Sequence, residues 1–172
     1  EYDALGRLLS VVPESARGAL FAYDVNGNLS ERGDPHAREY GPGDRLLRKG
    51  DTEFVWNDAG QLALRRTRLP DGGQEVTRYA WWETGLLRSV ERPDGTLVEL
   101  DYDPWARRVS KRVSERQPDG RARVLSTTRF VWDGVHLLHE IKRSEDAEGA
   151  PVVEERTYLF EDIRTVPVAH RD

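Results

Sequence analysis

The feature that most constrains this chain is a repeat, in which an aromatic residue is followed by glycine four places on and leucine six places on. It reads Tyr2-Asp3-Ala4-Leu5-Gly6-Arg7-Leu8, then Tyr23-Asp24-Val25-Asn26-Gly27-Asn28-Leu29, then Trp56-Asn57-Asp58-Ala59-Gly60-Gln61-Leu62. Trp81 opens a fourth full copy, with Gly85 and Leu87. Weaker copies start at Tyr40, Tyr102 and Trp132, and a degraded one at Phe160. Two places before the key aromatic stands Phe21, Phe54, Tyr79, Leu100, Phe130 or Tyr158. A separation of two puts both side chains on one face of a strand. Thr96, Val98, Leu100 and Tyr102 alternate with Glu99, Asp101 and Asp103, while Ala122, Val124, Phe130 and Trp132 oppose Arg121, Arg123 and Arg129. This period of two predicts strands with an apolar-aromatic face and a charged face.

Turn signals alternate in two kinds. Inside the repeat, Asn26-Gly27 or Ala59-Gly60 offers glycine for a tight turn that needs positive φ. Between repeats come Pro70-Asp71-Gly72, Pro93-Asp94-Gly95 and Pro118-Asp119-Gly120, each with turn chemistry at every position. The stretch from His136 to Ser144 can be drawn as an amphipathic helical turn, but its place directly after a repeat turn makes it a strand. The expected fold is all-β: tandem antiparallel hairpins in a curved strip of roughly 14 to 16 strands, residues 1–172 forming one segment with no separate domain.

Composition agrees. Charged residues make up 33% and mean hydropathy is −0.72, too polar for a thick core, while 9% aromatics is too many for disorder. A sheet with one wetted face fits that balance. The net charge of −5, with arginines scattered among acids, argues against a nucleic-acid partner. There is no cysteine, hence no disulfide or thiolate metal site, and no apolar run of membrane-span length. With no methionine and an opening at Glu1-Tyr2-Asp3 in mid-motif, the chain reads as part of something longer.

Candidate chemistry is sparse. The acid after the key aromatic (Asp3, Asp24, Asp103, Asp133) is expected to hydrogen-bond the turn ahead of it; Asn57, Trp82 and Gly41 stand there in other copies, which a turn tolerates and catalysis does not. His136 and His139 lack a third ligand, and His36 and His170 stand alone. Asp34-Pro35 and Asp103-Pro104 read as turns. No catalytic residue, cofactor site or metal site is expected. The residues singled out are the repeat positions Tyr2, Gly6, Tyr23, Gly27, Tyr40, Trp56, Gly60, Trp81, Gly85, Tyr102 and Trp132, and two tryptophans, Trp82 and Trp105, able to stack on sugars.

Tyr-Asp-x-x-Gly-x-Leu units separated by Pro-Asp-Gly turns resemble the YD repeats of rearrangement-hotspot (Rhs) proteins, found also in the C component of bacterial ABC toxins and in teneurins. The segment Tyr102–Lys111 is similar to the family's repeat unit, and Phe130-Val131-Trp132-Asp133-Gly134 leading into Leu137-Leu138-His139-Glu140 resembles a stretch late in Rhs shells. The resemblance implies a strip that spirals into a hollow shell around a toxin domain, which a downstream core with paired aspartates cuts free. The sequence stops at His170-Arg171-Asp172 and includes neither that core nor a toxin. The resemblance further implies a non-enzymatic wall segment whose partners are other segments of the same shell, the enclosed toxin and secretion-machinery or chaperone proteins. Such a protein is made in the bacterial cytoplasm and then secreted or delivered, by a type VI-like or toxin-complex route. The alternative expectation is a surface module that binds carbohydrate or protein through Trp82 and Trp105.

Overall fold

The computed structural model describes residues 1–12, 19–31, 38–117, 119–160, 167 and 169–171. Apart from a 3-10 turn at Pro42–Asp44, the regular structure among these residues is β. Contacts group the chain into two compact units, Glu1–Val76 and Thr77–Asp172.

The first unit holds β1 (Ser10–Val11), β2 (Ala19–Tyr23), β3 (Leu29–Glu31), β4 (Arg38–Gly41), β5 (Arg45–Lys49), β6 (Thr52–Trp56) and β7 (Leu62–Arg68). β1, β2 and β3 form a three-stranded antiparallel sheet, and β4 to β7 pair in chain order. The unit boundary falls inside β8 (Gln74–Trp81). The second unit continues with β9 (Leu87–Glu91), β10 (Thr96–Tyr102), β11 (Arg108–Arg116), β12 (Ala122–Asp133), β13 (His136–Glu145), β14 (Pro151–Leu159) and β15 (Ala169–Arg171). From β8 to β15 each strand pairs antiparallel with the next. The segment His136–Ser144 is strand, as expected. The degraded copy beyond Phe160, the Asp34-Pro35 pair and His36 lie outside the described residues.

The two kinds of turn proposed from sequence are one. In the first repeat the Asp3 amide donates to Arg7 O and the Gly6 amide to Asp3 O. The same two bonds recur at Asp24, Asn57, Trp82 and Asp103, and equally in the Pro-Asp-Gly connections at Leu69, Arg92 and Gln117. This is a type I turn whose fourth residue forms a left-handed bulge. Pro70 and Pro93 sit at the second turn position, where a φ near −65° is needed. The fourth position needs positive φ: Gly95 takes 81°, and in the sixth repeat Ala106 takes 62°. At Tyr40 the geometry differs, with Asp44 at φ 56° in the glycine place.

From Tyr40 onward the key aromatic also marks a break in the ladder, whereas Tyr23 pairs with Leu29 in unbroken register. The register shifts immediately before Tyr40, Trp56, Trp81, Tyr102 and Trp132. After the shift the aromatic pairs with the residue six places on: Tyr40 with Leu46, Trp56 with Leu62, Trp81 with Leu87, Tyr102 with Arg108. Trp132 is the exception, pairing with Leu137, because its connection at Gly134-Val135 is one residue shorter. Leu137, and not Leu138 as the repeat alignment has it, therefore fills the leucine place.

The face assignments need two corrections. Ser114 pairs with Val124 but Val113 pairs with Ser126, so an extra residue at Leu125 reverses the alternation along β12. Val124 thus lies on the face opposite Phe130 and is 48% exposed, whereas Phe130 is 8% exposed. Nor are the faces cleanly apolar and charged. The row through Leu100 continues as Lys111, Thr128, Lys142 and Glu154, so its cross-strand neighbour on β11 is a lysine, whose aliphatic stem can lie along it. Among the described residues the buried hydrophobic side chains are Leu100 and Phe130, both two places before a key aromatic. Arg108 lies 4.4 Å over the Phe130 ring. In the first unit a row of alternating charge, Glu39–Arg48–Glu53–Arg66, crosses four strands, with Arg48 Nε 3.2 Å from Glu39 Oε2 and Arg66 bonded to Glu53. Directly opposed charges of this kind favour one register.

Candidate functional site

With so thin a core, what this molecule has in place of a cavity is the joint between consecutive repeats. In four of the repeats the polar head of the key aromatic reaches back to the leucine-place carbonyl of the repeat before it. Tyr23 Oη donates to Leu8 O at 2.9 Å, Tyr40 Oη to Leu29 O at 2.7 Å and Trp56 Nε1 to Leu46 O at 2.9 Å. In the second unit Trp132 Nε1 donates to Arg108 O at 2.9 Å, Arg108 holding the leucine place of the Tyr102 repeat. The ring reaches over to a carbonyl of the strand before it; a bulge precedes Tyr40, Trp56 and Trp132, while Tyr23 makes the bond without one. Tyr2, which pairs with Leu8, opens the series and is largely exposed.

A second link runs the other way. The residue one place before the leucine place reaches forward into the next repeat. Arg7 lies 4.7 Å over the Tyr23 ring, Asn28 Nδ2 donates to Asp44 Oδ1 at 2.8 Å, and Arg107 Nη1 bonds to Gly134 O. Arg45 packs against Gly60, where a β-carbon would collide with its guanidinium. Sequence reasoning missed both links, because their acceptors are mostly main-chain carbonyls. One signal was present. The key aromatic is Tyr or Trp in every full or weaker copy, never Phe, whereas the place two before it takes Phe freely. A ring needed only for burial would not discriminate this way; a ring needed for its donor would.

The aspartates brace the turns these links hold. Asp3 Oδ1 accepts the amides of Leu5 and Arg7 while Oδ2 accepts Arg7 Nε; Asp103 does the same with Trp105 and Arg107. Asp24 accepts the amides of Asn26 and Asn28 and the Asn28 side chain. Asn57 accepts the Gln61 amide through its Oδ1 and donates from Nδ2 to Gln61 Oε1. The Arg7 amide above all holds the Asp3 carboxyl below the ordinary carboxylate range, and the Asn28 side chain does so for Asp24. At Asp103 desolvation opposes, but the Arg107 bonds prevail and its pKa is also lowered.

The remaining candidates are scattered. Trp82 Nε1 donates to Leu100 O at 3.3 Å, and Arg88 lies 4.7 Å over its ring, in a groove of about 980 Å³ that Tyr102 and Pro104 also line. Trp105, at a turn tip outside that lining, is 75% exposed with Arg107 5.1 Å over its ring. His139 Nδ1 shares a hydrogen bond with Thr157 Oγ1 at 2.8 Å, while His136 packs on Phe160 at 4.7 Å. Among the described residues no three His, Cys, Asp or Glu side chains converge as a metal site would require.

Known proteins resemble this chain in sequence and in fold. Double-stranded DNA deaminase toxin A of Burkholderia cenocepacia (strain H111) is 31% identical over 172 residues, which is 93% of this chain and 12% of that protein. Probable deoxyribonuclease RhsB of Dickeya dadantii (strain 3937) is 31% identical over 77% of this chain and 9% of its own length. The crystal structure of TcdB2-TccC3 superposes with a TM-score of 0.59 at 17% identity, over 92% of this chain and 8% of that one, a likeness of fold. The family model described as Teneurin YD-shell matches residues 1–118, and with its repeats, turns and fold in agreement the chain belongs to the YD-shell family.

Proposed function

We propose that this chain is wall: a YD-repeat segment of a hollow shell that encloses a toxin effector domain before delivery to a target cell. The observation that carries it is the two-way joint between repeats. Such a sheet grows by adding hairpins, locked to the one before through aromatic heads such as those of Tyr23, Tyr40, Trp56 and Trp132, and so encloses space without a thick core of its own. Relatives named as a DNA deaminase toxin and a deoxyribonuclease, of which the chain matches a small stretch, support a wall that is shared while the effector differs. Other segments of the same shell and the enclosed effector are its partners, with secretion-machinery or chaperone proteins engaged during delivery by a type VI-like or toxin-complex route. The segment itself is not an enzyme. The carbohydrate-binding reading gains nothing from the tryptophans, since Arg88 and Arg107 each cover one ring face and Trp82 spends its N–H on Leu100 O.

The test is protease protection in the parent protein. The effector should survive a protease that digests it when released, and deleting the segment should remove that protection. Equal digestion with and without residues 1–172 would overturn the reading.

A further inference from the structure

Across these sheets opposed arginines are usually paired: Arg48 with Glu39, Arg66 with Glu53, Arg78 with Glu91. One place breaks that habit. β11 and β12, neighbours in the middle of the second unit, carry six basic side chains against two acids, Glu115 and Asp133; of the six, Lys111 and Arg108 lie on the Phe130 face and Arg123 is paired with Glu115 and Glu145, which leaves Arg112, Arg116 and Arg129. Arg112, Thr127 and Arg143 form one row across three strands, and Arg129 lies two residues along from Thr127 on the same face. Three guanidinium groups therefore surround one threonine. All three are exposed, and among the described residues none makes an ion pair. The carboxylates nearest the trio among the described residues are Glu99, the register partner of Arg112, and three that are engaged elsewhere: Asp101 is bonded to Ser110, Glu145 is paired with Arg123 and Glu155 faces His139. Unpaired like charges on neighbouring strands destabilise a sheet unless something answers them. The same face carries Val131, 45% exposed, and Val153, 54% exposed and opposite Arg143.

We propose that this arginine-valine face is a docking surface for an extended polypeptide segment whose contacting residues are carboxylates and small apolar side chains. Carboxylates match guanidinium groups in bidentate fashion, and valines on the occupant cover the exposed valines of the sheet. The proposal rests on the wall reading.

The probe is a labelled peptide of about 12 residues, long enough to cross the trio in extended form, with sequence (Glu-Ser-Val-Ser)n, titrated into the full chain and followed by fluorescence anisotropy. The same peptide with Lys for Glu, and a single-stranded oligonucleotide, serve as comparisons. Binding of the glutamate peptide should weaken at least about tenfold in the Arg112→Gln, Arg129→Gln, Arg143→Gln triple variant. Replacing the three with lysine should restore part of it, and Lys111→Gln, on the opposite face, should leave it unchanged. Unaltered binding by the triple variant, equal binding of the lysine peptide, or tighter binding of the oligonucleotide each overturns the proposal. Protease protection of the effector in the parent protein reads the wall separately, so protection that persists in the triple variant leaves the wall standing even where the peptide titration overturns this face.

Discussion

Ala106 is a built-in test of the turn geometry. Its φ of 62° sits in the left-handed region, where a β-carbon crowds the neighbouring carbonyl at a cost of roughly 1–2 kcal/mol. Glycine removes that strain but returns about 0.4–1 kcal/mol of unfolded-chain entropy. Ala106 is exposed, so its methyl group contributes little packing. Ala106→Gly should therefore stabilise the chain by about 0.5–1 kcal/mol, or roughly 1–4 °C in melting temperature for a chain this size. The mirror variant is Gly95→Ala. Its φ is 81° and nothing lies within 4 Å of the added carbon, so strain alone acts and the sign reverses. Thermal melts followed by tryptophan fluorescence read both. If Ala106→Gly is neutral or destabilising while Gly95→Ala destabilises, the sixth repeat does not use the turn described.

Three further outcomes follow from the joints, the charges and the carboxylates. Trp132→Phe keeps the ring but leaves Arg108 O without its donor, and should cost about 0.5–1.5 kcal/mol in denaturant titration; no loss would make the ring mere packing. Arg66→Glu opposes Glu53 with a like charge, so it should destabilise more at low salt than at high, and a salt-independent loss would remove electrostatics as the cause. Asp3, Asp24 and Asp103 have lowered pKa values when folded, so their contribution is complete above the ordinary carboxylate pKa and disappears as pH falls through the lower folded values. Melting temperature should drop across that acidic window, and the Asp103→Asn variant should drop less; the reverse order would contradict the bonds described.

Much of this was legible because it is local. The aromatic–Gly–Leu spacing, glycine at the turns and the alternation along β10 need only neighbouring residues to act, so strands, turns and the family resemblance could be read from the chain. Even the two turn types differed only in which residues dressed one hydrogen-bond pattern. What the sequence could not show depends on how strands pair. The bulge at Leu125, which turns Val124 away from Phe130, exists only relative to β11. The one-residue shortening at Gly134-Val135 likewise becomes visible only when Trp132 meets Leu137.

The joint divides along the same line. That Tyr or Trp, never Phe, begins each copy from Tyr2 to Trp132 is written in the sequence, as is Arg or Asn before several of the leucine places. Their partners are not, since a main-chain carbonyl such as Leu8 O or Arg108 O is the same group at every position. Only pairing between strands, which sets a ring across its neighbour at hydrogen-bond distance, selects which carbonyl it is.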